Sequence, residues 1–208
     1  MEIQDVVKEI KQSFRQMMDG SVAQSMRDKG VGYHLNWGAT IPRLREKADE
    51  LSTLYTQHIT LYDLAIALWK ENVRECKILA TMLMPPDEIL PEVVDIWMEQ
   101  TETLEVAEQA AMNLYCRLPY APQKAYQWIA SDKPLYQLCG FHVLSRLFMN
   151  GQEPNERGIN EFLDQAIAAL HSPELMVRKA ANNCLQRFAD LGLVYERLVQ
   201  SALRLQNK

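Results

Sequence analysis

Four segments of this chain repeat one arrangement: a polar start, apolar residues at helical spacing, and a small residue inside the apolar stripe. They run from Val73 to Met84 around Ala80, Leu104 to Leu118 around Ala111, Leu135 to Phe148 around Gly140, and Met176 to Leu191 around Ala181. The small residues recur at intervals of about 30, 30 and 40 residues, which is room for one helix pair per interval. That spacing is the range expected of two-helix solenoid units. The chain is constrained to stack one supersecondary unit several times.

Stacked helix pairs of this period define an all-α fold, an α-solenoid of HEAT- or armadillo-like repeats with a concave face. Such a fold offers no ready-made catalytic cleft, so function has to come from the side chains that line that face. With 208 residues, 48% hydrophobic and 24% charged, the chain has material for one core, and a single domain is expected. In it, residues 1–29 supply N-terminal helices and residues 30–208 the repeats. Lys8, Lys11 and Arg15 interrupt the apolar positions of the first helix, which excludes a signal-peptide core. The longest apolar run, Leu64 to Trp69, is too short to span a membrane, and a cytoplasmic protein is expected.

The 3.6-residue period of Ile3, Val6, Val7, Ile10, Phe14 and Met17 predicts a first helix ending near Gly20, with a shorter one after it. Gly30 to Gly38 holds three glycines besides Tyr33 and Trp37 and reads as a loop, with Trp37 the best candidate for an exposed aromatic. A helix opening at Thr40 places Pro42 in its first turn, where a missing N–H costs nothing. Thr60 and Asp63 have the spacing of a capping box. Met84-Pro85-Pro86 ends one helix and Pro91 opens the next, while Ser172-Pro173-Glu174 reads as cap, first-turn proline and first-turn acid. No segment alternates with a period of two.

Cys76, Cys116, Cys139 and Cys184 lie far apart in apolar helical patterns, as expected of buried reduced thiols. His34, His58, His142 and His171 are equally scattered, so no metal site is expected. Charge is less evenly spread. Between Lys77 and Arg117 there is no basic residue, whereas Asp87, Glu88, Glu92, Asp95, Glu99, Glu102, Glu105 and Glu108 are all acidic. The net charge of −5 leaves the rest of the chain at about +3. Glu102, Glu105 and Glu108 follow at i, i+3 and i+6, either an acidic edge or a solvated helix face. Arg178, Lys179 and Arg187, followed by Arg197 and Arg204, form one basic group, and Arg43, Arg45 and Lys47 another. Arg74 and Glu75 read as a structural ion pair between repeats.

A set of collinear motifs adds to this reading. Gly30-Val31, Ile41-Pro42-Arg43-Leu44, Leu68-Trp69, Arg74-Glu75 and Ala80 are followed by Leu90-Pro91, Trp128 with Ser131-Asp132, and Val177-Arg178-Lys179-Ala180. Together they resemble the AlkD-like HEAT-repeat DNA glycosylases, the DNA alkylation repair enzyme family, over most of the chain from Gly30 to Ala189. The resemblance implies a concave solenoid that clasps alkylated duplex DNA and excises the damaged base without a metal or a redox cofactor. It also implies a carboxylate that stabilises positive charge on the departing nucleotide, tryptophans that shape the cleft, and an arginine on the backbone.

At those positions this chain departs from the family. The segment W-W-D-T-V-D falls on Thr103-Leu104-Glu105-Val106-Ala107-Glu108, so both tryptophans are absent and Glu108 stands at the catalytic aspartate. The arginine expected after the Ser-Asp landmark falls in Tyr136-Gln137-Leu138, with no basic residue there, and the tryptophan of K-A-I-G-W falls on Asn183. Thr103, Gln137 and Asn183 are therefore candidates for the concave face, and Arg178, Lys179, Arg187, Arg43 and Arg45 for nucleic-acid contacts. The expectation is a divergent, catalytically degenerate member that binds DNA. The alternatives are a weak alkylpurine glycosylase using Glu108 and a scaffold that binds a protein or peptide, such as a basic partner of the acidic stretch.

Overall fold

Helix starts in this chain are set by polar caps and prolines, and helix faces by where the apolar stripes find partners. The structure, a computed structural model, describes residues 2–28, 35–54 and 59–206. The first five residues of the expected glycine loop, Gly30 to His34, and His58 lie outside the described residues. Among the described residues there are twelve α-helices, one 3₁₀ turn and no strand; Leu35 and Val73 form an isolated bridge. The chain divides into two compact units, Met1–Leu114 and Tyr115–Lys208.

The first unit holds α1 (Ile3–Gln16), α2 (Gly20–Asp28), α3 (Ile41–Leu54), α4 (Leu61–Trp69), α5 (Arg74–Leu83), α6 (Pro91–Glu99) and α7 (Leu104–Asn113). The first helix stops at Gln16, one turn before the expected Gly20, because the Met17 N–H turns back onto the Phe14 carbonyl. Asp19 then opens α2 by accepting from the Ser21 and Val22 N–H groups and the Ser21 hydroxyl, bonds that lower its pKa, the hydroxyl's most. Thr60 caps α4 by accepting from the Asp63 N–H, and Pro91 is the first residue of α6, as their spacing predicts. Helix α5 is the centre of the unit, packed against α3, α4 and α7, with Ala80 fully buried. Trp69 and Trp97 stack with ring centroids 4.1 Å apart.

The expectation for Trp37 is corrected here. Only 8% of it is exposed, and its ring lies 5.8 Å from that of Phe14. The indole packs inward because Gly38, at φ +76°, turns the chain back over α2. A Cβ on Gly38 would meet the Asp19 carbonyl oxygen at 2.2 Å.

The second unit holds the 3₁₀ turn Tyr115–Arg117, then α8 (Ala121–Ile129), α9 (Pro134–Met149), α10 (Glu156–Ala169), α11 (Leu175–Ala189) and α12 (Leu193–Gln206). The expected segment from Leu104 to Leu118 is thus not one helix: Leu114 leaves helical geometry (φ −123°, ψ −61°) and the 3₁₀ turn replaces a fourth helical turn. Helix α9 packs against α8 and α11, and α11 against α10 and α12. A Cβ on Gly140 would meet Ile129 Cγ2 at 2.7 Å, so the glycine is what allows α8 and α9 to touch. Phe148, Phe162, Phe188 and Tyr195 join α9, α10, α11 and α12 through successive ring contacts. Glu174, not Ser172, is the cap position of α11. Ser172 instead closes a local turn by accepting from the Glu174 N–H, and Arg178 holds the turn by donating to the Ser172 and Pro173 carbonyls.

In each unit, then, helix pairs stack on helix pairs: α3, α5 and α7 in succession in the first, α9 on α11 and α8 beside α10 in the second. Fully burying one Leu, Ile, Val or Phe contributes about 1.5–3 kcal/mol, more than a helix cap at about 1 kcal/mol. The small-residue stripes, rather than the caps, therefore set the architecture.

Candidate functional site

The candidate carboxylate sits on α7, and its surroundings begin with the cap. Thr103 opens the helix by accepting the Val106 N–H at 3.3 Å, so its hydroxyl serves the backbone. Leu104, at the second lost tryptophan, is 40% exposed. The next residue, Glu105, is gripped by Arg74 of α5 in a two-pronged ion pair, Nη2 to Oε1 at 2.6 Å and Nε to Oε2 at 2.8 Å.

That arginine is almost wholly buried, as is its neighbour Glu75. Arg74 Nη1 also donates to the Ala39 carbonyl at 2.7 Å and to Glu75 Oε1 at 3.1 Å. The same Oε1 accepts from the backbone N–H groups of Trp37, Gly38 and Ala39. One buried cation and two carboxylates thus tie residues 37–39, α5 and α7 into a polar cluster. Arg74 and Glu75 are paired, but as neighbours on α5 rather than between repeats; the ion pair that crosses from one helix to the next is Arg74 with Glu105.

Glu108 lies on the next turn of α7, half-buried. Burial raises its pKa above the usual 4.5, and the neighbouring Glu105 raises it further. Both effects favour the protonated form of Glu108 over its carboxylate. Glu102 is exposed before the helix, and its charge acts on Lys77 of α5, whose pKa burial lowers and Glu102 partly restores. The Lys77 ammonium stands 4.4 Å from the centre of the Trp69 ring. Trp69, Lys70, Asn72, Lys77, Gln100 and Glu102 line a polar groove of about 350 Å³. Two of the three acids in the i, i+3, i+6 series therefore face cations from α5, a compensation that the basic-free stretch of sequence conceals.

The other candidates separate by what already holds them. On α9, Gln137 is half-buried in the first turn, and on α11 Asn183 is exposed beside exposed Asn182. Arg178 is committed to the Ser172 and Pro173 carbonyls, and Arg187 pairs with Asp190 at 3.3 Å. Arg43 makes one long bond, 3.4 Å, to the Met17 carbonyl. Lys179 and Arg45 are exposed. Arg197 and Arg204, on α12, make no hydrogen bond or ion pair among the described residues. Their signal in the sequence is the i, i+3, i+4, i+7 register of Arg197, Gln200, Ser201 and Arg204, opposite Tyr195, Val199 and Ala202.

All four tryptophans are interior, Trp37 at 8%, Trp69 and Trp97 at 2% and Trp128 at 1% exposure. Cys76, Cys139 and Cys184 are buried and Cys116 is half-buried; burial pushes the Cys184 thiol up to about 12, far from a nucleophilic thiolate. Among the described residues no group of three or more His, Cys, Asp and Glu side chains has the arrangement to hold a metal ion. No helix among them is long and apolar enough to cross a membrane.

Helices stacked in succession, with buried small residues along their apolar stripes, define a HEAT-like repeat fold. Comparison with solved structures bears this out: the chain is similar to a member of "a new family of proteins related to the HEAT-like repeat DNA glycosylases with affinity for branched DNA structures". The two align with a TM-score of 0.77 at 19% identity, covering 95% of this chain and 80% of the other. The DNA alkylation repair enzyme family model matches residues 10–204, and the chain belongs to that family. Comparison with curated proteins gives no match.

Proposed function

We propose that this protein binds DNA, branched structures in preference to linear duplex, and does not excise alkylated bases at an enzymatic rate. Membership of a DNA alkylation repair family supports the nucleic-acid reading, and so does the affinity for branched DNA stated for the similar structure. The observation that carries the loss of excision is the burial of every tryptophan in the chain. A departing cationic base is gripped by exposed aromatic faces, and removal of such contacts forfeits stabilisation that is felt in the transition state. Where the family resemblance calls for tryptophans, this chain has a helix cap at Thr103, an aliphatic side chain at Leu104 and an exposed amide at Asn183. The pairing of Glu105 with Arg74 removes a second carboxylate from any chemistry.

The test incubates the protein with duplex carrying an N-alkylated purine and measures abasic-site formation, alongside binding to a four-way junction and to linear duplex of equal length. Abasic sites at the uncatalysed rate and tighter junction binding are expected. Excision above that rate sinks the reading, and equal affinity for the two DNAs removes its structural preference.

One observation favours a second reading, a weak glycosylase: Glu108 keeps a carboxylate whose pKa burial and Glu105 both raise. Excision that disappears in Glu108→Gln would establish it. Arg74 and Lys77 offset only Glu105 and Glu102 of the acidic stretch, so the basic-peptide scaffold remains an alternative carried by exposed acids such as Asp87, Glu88, Glu92 and Glu99.

A further inference from the structure

The outward side of α12 differs from the other basic stretches of the chain in that its two arginines, Arg197 and Arg204, make no hydrogen bond or ion pair among the described residues, although Gln200 beside them donates to Glu196. Arg197, Gln200, Ser201, Arg204 and Leu205 line a shallow groove of about 320 Å³. No carboxylate lines it; Glu196, the nearest acid on the helix, accepts from the Gln200 amide at 3.1 Å. Two guanidinium groups, an amide and a hydroxyl therefore share one surface of hydrogen-bond donors. The opposite side of the helix is fixed in the unit. Val199 is buried, the Tyr195 ring packs edge-on against Phe188 with centroids 5.0 Å apart, and the Tyr195 hydroxyl donates to Glu153 at 2.8 Å.

We infer that the Arg197, Gln200, Ser201 and Arg204 face of α12 is a contact surface for the sugar-phosphate backbone of DNA. This rests on the DNA-binding reading above and assigns it a place. Arg197 and Arg204 are two helical turns apart, about 10.5 Å along the axis at about 1.5 Å per residue. Each strand of duplex DNA advances about 3.4 Å along its axis per phosphate, so the stripe is long enough to meet more than one phosphate of a strand. Guanidinium groups hold phosphate oxygens two at a time, and the amide and hydroxyl between them reach the intervening oxygens. None of these groups reads a base, so the contact is independent of sequence and positions the duplex.

By contrast, Arg157 of α10 is also exposed, but it shares its groove with Glu156, Glu161 and Asp164. Those acids repel a phosphate and make Arg157 the internal control.

The test is fluorescence anisotropy of the full chain with a labelled duplex and a labelled four-way junction over a salt series, for wild type, R197A/R204A, R197K/R204K and R157A. Each phosphate contact adds about 0.9 to the slope of log affinity against log salt, so R197A/R204A should lower the slope by about 1.8. Between about 50 and 200 mM salt, wild type should then lose about twelvefold more affinity than that variant. R197K/R204K keeps the two point charges and should keep the slope, and R157A should match wild type. Circular dichroism should be unchanged in all three variants, since the side chains are exposed.

Wild-type binding with an unchanged slope in R197A/R204A overturns the α12 assignment and leaves the DNA reading standing; a slope that falls equally in R157A overturns it as well. Absence of wild-type binding even at low salt overturns both. Loss of binding to vesicles containing an anionic lipid, with DNA binding intact, would make the face a membrane contact and overturn the inference.

Discussion

Replacing Arg74 with methionine is the sharpest test of how the first unit is held together. The guanidinium is 1% exposed and donates to both Glu105 oxygens, to Glu75 and to the Ala39 carbonyl. Methionine fills similar volume but leaves Glu75 buried with a negative charge and only backbone N–H groups to balance it. Removing one partner of a buried ion pair costs about 3–5 kcal/mol, most of it the penalty of the charge left behind. In a chain of this length about 1 kcal/mol shifts Tm by about 2–4 °C, so Arg74→Met should melt about 6–20 °C lower. Glu105→Gln should cost less, because that side chain is 24% exposed and water replaces part of what the pair supplied. A double-mutant cycle on Arg74 and Glu105, followed by thermal circular dichroism at pH 7, separates the pair from its surroundings. A Tm loss below about 3 °C for Arg74→Met, or strictly additive effects of the two changes, would refute the argument that this pair fixes α7 to α5.

Gly38→Ala should destabilise the same region by another route. A positive φ costs a non-glycine residue about 1–3 kcal/mol, and the new methyl group would meet a backbone oxygen at 2.2 Å that cannot swing away. A Tm within 2 °C of wild type would show that the turn relaxes. Glu108→Gln should alter the pH dependence of stability. Since the folded protein holds the Glu108 pKa above 4.5, the wild-type residue favours folding below that value, and its contribution falls as pH rises through the folded pKa. The glutamine variant should thus melt higher than wild type at pH 7 to 8, with the difference shrinking towards pH 4 in parallel thermal melts. A variant that melts lower than wild type at pH 8 would mean that Glu108 is held by favourable contacts that outweigh its burial.

The parts of this protein that were legible in its sequence are those decided by neighbours along the chain or by a repeated local rule. Ala80, Ala111 and Ala181 are fully buried and Gly140 sits where α8 touches α9, because each repeat has to bury one face of its helices against its neighbours. The Thr60 cap and the Pro91 start depend on residues within one turn. What was hidden depends on partners far apart in sequence. Trp37 lies in a glycine-rich stretch with no helical period, yet a positive φ at Gly38 and the ring of Phe14 put it in the core. At Glu102 and Glu105 the acidic stretch looks uncompensated because the cations that face them, Lys77 and Arg74, come from the preceding repeat. In a solenoid, side chains about 30 residues apart meet across neighbouring helices, as Arg74 and Glu105 do here. Charge in such a fold is balanced between repeats, and a linear count of it along the chain overstates every patch that has a partner one repeat away. The same reasoning singles out α12, where Arg197 and Arg204 meet no acid from the neighbouring helices and remain available to one from outside.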